Sequence, residues 1–162
     1  MSKSVGIYKA IEQLDERHIR GHAAGLLFRA EAAARGYIPS TPEWNISIDH
    51  ILIKQDDHAK LVRVEVKQSK QARMRKKNGP AFTVELRTAQ GIGGTSGSKK
   101  GQKRLHKYEG AVDMFAILLA GTNEWYLIPE RGLRGRSSVT LCPEDSNAAF
   151  AEYKDNWAVL AG

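Results

Sequence analysis

Three residues stand where their types and spacing could do chemistry. In the run Leu61 to Lys67, apolar and polar residues alternate, so a strand there sets Val62, Val64 and Val66 on one face and Arg63, Glu65 and Lys67 on the other. With the valines turned to a core, Glu65 and Lys67 project side by side from the opposite face. Asp49 lies upstream in a second apolar run, Ile46 to Ile53, where an acid needs a reason to be. If the two runs are neighbouring strands, Asp49 comes next to Glu65 and Lys67. Two carboxylates at that distance repel, and a hard divalent cation such as Mg²⁺ resolves the repulsion through oxygen ligands. Such an ion lowers the pKa of a bound water and neutralises charge on a phosphoryl oxygen. A lysine beside it orients or deprotonates the attacking water and stabilises a pentavalent transition state. Acid, acid and lysine on adjacent strands is a minimal device for phosphodiester hydrolysis. Spacing alone also admits a plainer reading, in which Asp49 caps a turn and Glu65 and Lys67 form an exposed ion pair worth under about 1 kcal/mol.

The elements that must position these residues can be read around them. Ala23, Leu26, Leu27, Ala30, Ala33 and Ala34 recur at helical spacing and Gly36 follows as a stop, which predicts a helix in the first third of the chain. Pro39 and Pro42 forbid helix and set an extended segment. The strand Ile46 to Ile53 comes next, then a turn at Asp56-Asp57-His58, a strand from Leu61 to Gln68 and another from Phe82 to Leu86. Val112 to Leu119 and Trp125 to Ile128 form a further pair joined by a hairpin at Gly121 to Glu124. Caps at Asp145-Ser146-Asn147 introduce a last helix carrying Ala149, Phe150, Tyr153, Trp157 and Leu160. The fold class is therefore α/β, a central mixed β-sheet of about five strands flanked by helices. The length of 162 residues fits a single domain over 1–162. Residues 88–104, with Gly91, Gly93, Gly94, Gly97 and Gly101, have no apolar period and read as a flexible basic loop. No Gly-Lys-Ser/Thr follows at the spacing that a phosphate-cradling loop needs.

The net charge of +7 is unevenly spread. From Lys67 to Lys107 twelve basic residues face the single acid Glu85, a local charge of +11, which leaves the remainder of the chain at −4. A polyanion-binding face needs this asymmetry, because each phosphate neutralised releases condensed counterions. The longest apolar run, Met114 to Ala120, is far too short to cross a bilayer, and Glu12, Asp15 and Glu16 break any signal-peptide pattern. The lone Cys142 excludes an internal disulfide framework and a multi-cysteine zinc site. A cytoplasmic protein without a membrane partner is expected.

Taken in order, these blocks resemble the PD-(D/E)XK nuclease superfamily: a helix, then Ile48-Asp49, then Glu65-Val66-Lys67. The helix end Ala34-Arg35-Gly36-Tyr37-Ile38 with Pro42, the segment Tyr108 to Ala116 and the block Trp125-Tyr126-Leu127-Ile128-Pro129 narrow the resemblance. They are similar to the small branch containing group I intron homing endonucleases and archaeal-type Holliday junction resolvases, over about Gly21 to Glu130. The resemblance implies a restriction-endonuclease-like core and a metal-dependent DNA endonuclease, either a junction resolvase or a site-specific homing-type enzyme. It implies Mg²⁺, with Mn²⁺ able to substitute, double-stranded or branched DNA as partner, and a homodimer or homotetramer in a bacterial, archaeal or phage-infected cell. Asp49 and Glu65 become metal ligands together with the carbonyl of Val66, and Lys67 the catalytic lysine. Family members usually add an acid from the first helix about four residues after a glycine like Gly21; here that position is Gly25. Glu31, later in the helix, is a substitute or a solubilising surface residue, and His22 an additional candidate. His50 should point to the face opposite Asp49, into the core or the surface. Gln68, Lys70, Arg73, Arg75, Lys76, Lys77, Lys99, Lys100, Lys103 and Arg104 are the expected DNA contacts. The missing helix acid also motivates a rival reading, a non-catalytic DNA-binding module on a nuclease fold.

Overall fold

The computed structural model describes residues 17–43, 48–70, 72–75, 79–86, 89–90, 104–105 and 110–161. Helix α1, Arg17–Ala34, buries Ala24, Phe28 and Ala32 completely. These lie at i, i+4 and i+8, one stripe on one face. The stripe expected through Leu26 and Ala30 is rotated away from the core, and Leu26 is half exposed. In an alanine-rich helix several phases are nearly equal in hydropathy, and the large ring of Phe28 decides between them. Gly36 then closes the helix at φ +81°, donating its amide to Ala33.

Strand β1, Tyr37–Ser40, contains Pro39 yet pairs with β2, His50–Lys54. The proline is tolerated because β1 is the sheet's edge and has a partner on one side alone. The turn after β2 falls at Gln55-Asp56, and β3 runs over Asp57–Gln68, longer and earlier than the alternation indicated. Next come β4, Arg73–Arg75, and β5, Gly79–Glu85. Two short strands, β6 (Ala89–Gln90) and β7 (Arg104–Leu105), pair antiparallel. The segment expected to be a loop over 88–104 therefore has paired ends, and residues 91–103 lie outside the described residues. Strands β8, Met114–Leu118, and β9, Trp125–Pro129, form the expected hairpin. A one-turn helix α2, Glu130–Leu133, and strand β10, Ser138–Leu141, complete the set. The last helix expected from Ala149 onward is replaced by 3₁₀ turns at Ala151–Tyr153 and Trp157–Leu160. Phe150 at φ +72° and Asp155 at φ +49° break any continuous helix there.

The main sheet has the order β1-β2-β3-β8-β9, mixed as expected, with β3 and β8 its parallel pair. Both its faces are covered. Against α1 lie Leu52, Val62, Val64, Val66, Met114, Ala116, Leu118 and Leu127. Phe115, Ile117, Tyr126 and Ile128 alternate to the other face and pack on Phe82, Val84, Val139 and Leu141 of the second sheet, β10-β5-β4. All five residues of β8 are buried, as a strand covered on both sides requires. Cys142 is buried and free, in keeping with a structural thiol.

The start of the parallel seam is tied by Arg63 and Asp113. The Arg63 guanidinium donates to both Asp113 carboxylate oxygens at 3.0 and 2.8 Å, and its backbone amide adds a bond at 2.8 Å. The Arg63 side-chain bonds, opposed by partial desolvation and helped by the amide, hold the Asp113 carboxyl below its usual range. A depressed folded-state pKa stabilises above the unfolded value of about 3.9 and is lost as pH falls through the folded value. Asp113→Asn should thus be less stable than the parent at pH 7, with the gap closing as both are unfolded at progressively lower pH below about 4. Denaturant midpoints measured from pH 7 to pH 2.5 check this; a gap independent of pH would assign the effect to shape.

Candidate active site

The valine alternation of β3 holds as expected: Val62, Val64 and Val66 are buried under α1, and Glu65 and Lys67 leave from the other face, in register with Phe115 and Ile117 of β8. Asp49 stands just before β2, not inside a strand, and is exposed. Its amide donates to the Val64 carbonyl at 3.0 Å, and its Oδ2 accepts the Val66 amide at 2.7 Å. The Asp49 carboxylate is thereby fixed at the residue between Glu65 and Lys67. The amide and carbonyl of one strand residue leave by the same edge. The Val66 carbonyl therefore emerges on the Asp49 side, past the start of β2. Lys67 Nζ donates to Glu65 Oε1 at 2.6 Å, with both side chains largely buried. The end of β3 is pinned by Ser69, whose amide donates to Leu118 O at 2.9 Å and whose Oγ accepts the Ala120 amide at 2.8 Å.

Two cavities flank this cluster. One, of about 500 Å³, is lined by Arg20, Gly21, Val66, Lys67, Gln68, Ser69, Lys70 and Glu85. The other, of about 310 Å³, is lined by Gly21, His22, Gly25, Leu26, Arg29, Thr41, Asp49 and His50. Gln68, Lys70 and His22 are thus brought to the site. A third cavity beside them, of about 390 Å³, takes Lys70, Ala72, Arg73 and Thr83. Lys70 forms an exposed ion pair with Glu85 across to β5, and its amide donates to Thr83 O. Glu31 pairs instead with Arg35 one turn along α1. Lys76, Lys77, Lys99, Lys100 and Lys103 lie outside the described residues, while Arg75 sits in β4 and Arg104 in β7.

His50 turns into the core, one of the two surroundings expected for it. Its ring stacks on Phe28 with centroids 5.8 Å apart, and Nδ1 lies 3.5 Å from Thr41 Oγ1. Burial, opposed by Asp49 and reinforced by Arg29, pushes its pKa below the usual histidine value. A Cβ placed on Gly25 would stand 3.3 Å from His50 Nε2. The imidazole therefore fills the space in which an acid at position 25 would begin, and this explains the glycine. Gly21, one turn earlier, has nothing within 4 Å of such a Cβ. A glycine in a helix interior costs about 1 kcal/mol against alanine, so packing accounts for Gly25 but not for Gly21. The spacing of Gly21 and Gly25 was legible in the sequence; their different surroundings were not.

The donors gathered here are oxygens: the carboxylates of Asp49 and Glu65 and the Val66 carbonyl. They suit a hard divalent ion that keeps several waters and takes one or two protein carboxylates. Among the described residues no group of three or more His, Cys, Asp or Glu side chains is placed to hold a metal. Nor, among them, is any helix long and apolar enough to cross a membrane.

The mixed sheet, with Asp49 held just before β2 and Glu65 and Lys67 on β3, is an α/β fold. The chain superposes on a solved bacterial homing endonuclease, I-Ssp6803I, with a TM-score of 0.69 over 90% of this chain and 93% of that one, at 16% sequence identity. No protein-family model and no curated protein matches the sequence.

Proposed function

We propose that this protein is a metal-dependent DNA endonuclease of homing type, hydrolysing phosphodiester bonds as a homodimer or homotetramer in the cytoplasm. The observation that carries the reading is the fixing of Asp49 against the Val66 amide, between Glu65 and its 2.6 Å partner Lys67. Support comes from the fold it shares with a homing endonuclease and from the +11 charge between Lys67 and Lys107. Asp49, Glu65 and the Val66 carbonyl would hold Mg²⁺ or Mn²⁺, which when bound supplies a more acidic water and charge neutralisation at the phosphoryl oxygens. The work of the chain's own residues follows from their places. Lys67 orients the attacking water and donates to a phosphoryl oxygen as negative charge builds on it. Asp49 keeps its bond to the Val66 amide, which fixes one carboxylate oxygen and leaves the other to face the site. Gln68, Lys70 and Arg73 hold flanking phosphates, giving affinity without reading sequence. A single domain with one such cluster cuts two strands by pairing with a symmetric copy.

The test is cleavage of a labelled four-way junction and a supercoiled plasmid with Mg²⁺, with Mn²⁺ and with EDTA. The expected result is discrete plasmid cuts with either metal and none with EDTA. Symmetric nicks confined to the junction would make the protein a resolvase. The absence of an acid at Gly25 favours one other reading, a DNA-binding module without catalysis. Binding to both substrates with no metal-dependent cut would establish it and overturn ours.

A further inference from the structure

Asp49 lines one of the two cavities and Lys67 the other, and Gly21 lines both. Gly21 is the residue that the two cavities share, so a strand running through both passes over it. Nothing stands within 4 Å of where a Cβ would be at that position, so α1 meets the cleft there with bare backbone. One turn on, the bare face ends at Gly25, where a Cβ would meet His50 Nε2 at 3.3 Å. His50, 6% exposed, lines the smaller cavity there. Cations stand on both sides of Gly21: Arg20, Lys67 and Lys70 in the larger cavity, Arg29 in the smaller.

Glycine is used where a chain must let a ligand approach its backbone closely. A trough floored by bare helix backbone at Gly21 and bordered by cations at both ends suits a polymer of regularly spaced anions. We propose that Gly21 is a saddle over which one sugar–phosphate backbone of the substrate lies, with Arg20 and Lys70 holding phosphates on one side and Arg29 on the other. The inference rests on the nuclease reading and adds the path of the strand. The glycine holds no reacting atom; it positions the strand by leaving room for it.

The experiment places Gly21→Leu, Gly21→Ala and the control Ala33→Leu in the full chain. Each is measured for melting temperature, for affinity to a labelled DNA duplex without metal, and for cleavage with Mg²⁺. Leucine is a strong helix former set in open space, so Gly21→Leu should melt about 2–4 °C higher. It should bind DNA at least tenfold more weakly and cut in proportion to what is bound. Gly21→Ala should fall between it and the parent, and Ala33→Leu should bind and cut as the parent does. Stability and affinity moving in opposite directions is a signature that a merely structural glycine does not give. If Gly21→Leu binds and cuts like an active parent, the saddle is overturned and the nuclease reading stands. If it melts lower, the open space at Gly21 is refuted and the saddle with it. A parent that neither binds nor cuts DNA would overturn the nuclease reading and this inference together.

Discussion

Lys67→Ala is expected to lose strand cleavage by about 10²–10³-fold while duplex affinity changes by about threefold or less. The two effects separate because Lys67 is one cation among the twelve between Lys67 and Lys107, whereas its ammonium is bonded to Glu65 Oε1 beside the fixed Asp49 carboxylate. Removing the ammonium leaves phosphate gripping to its neighbours but withdraws the donor aimed at developing charge. Single-turnover cleavage and metal-free anisotropy titrations measure the two quantities independently. Equal losses in both would make Lys67 a DNA contact, and unchanged cleavage would remove it from the chemistry. The substitution also removes the 2.6 Å Lys67 bond from a largely buried Glu65, so circular dichroism should accompany the kinetics. Lys67→Met, which keeps the stem of the side chain, guards against reading misfolding as lost catalysis.

Phe28→Ala is expected to cost about 3–5 kcal/mol of folding stability. Phe28 is fully buried, and its ring centroid lies 5.8 Å from His50, 5.7 Å from Trp125 and 5.8 Å from Trp157. Alanine there leaves a void that three rigid rings cannot close. Leu26→Ala, two residues away and half exposed, should change stability by less than about 0.5 kcal/mol. Urea unfolding of both variants with a common slope checks the pair, and equal costs would show that the face of α1 has been assigned wrongly. The consequence extends to the two cavities, because Phe28 anchors the helix whose Gly21 lines both of them.

What the sequence made legible was the part governed by strict local patterns. Alternation at Val62, Val64 and Val66 separates core from site on β3, and Gly36 ends α1, each for reasons visible within a few residues. The pairing of Asp49 with β3 followed from two apolar runs and a turn, although the turn itself lies one residue earlier than Asp56-Asp57-His58 indicated. The misreadings share a cause. The rotation of α1, the 3₁₀ turns after Phe150 and the strand Ser138–Leu141 are decided by partners distant in sequence: Trp125 and Trp157, a bridge from Tyr126 to Lys154, and a ladder to Phe82–Glu85. The role of His50 was half legible. Its strand position left core and surface open, and its burial close against Gly25 became clear in space alone.

The parallel seam between β3 and β8 has a consequence for how such a protein diversifies. Five register pairs, Val64 with Met114 through Gln68 with Leu118, clamp the two ends of the intervening crossover onto neighbouring strands. Lys70 to Lys107, nearly the whole basic segment, belongs to that crossover. Loop-closure entropy grows with the logarithm of length, about 0.6 kcal/mol for each doubling. Outside β5, whose Phe82 and Val84 are buried against the main sheet, the crossover can therefore be lengthened or shortened at little thermodynamic cost while Glu65 and Lys67 stay where the clamp puts them. The basic stretch and the strand pair that carries Glu65 and Lys67 are thus separable parts of one chain, and the first can change its charge pattern without moving the second.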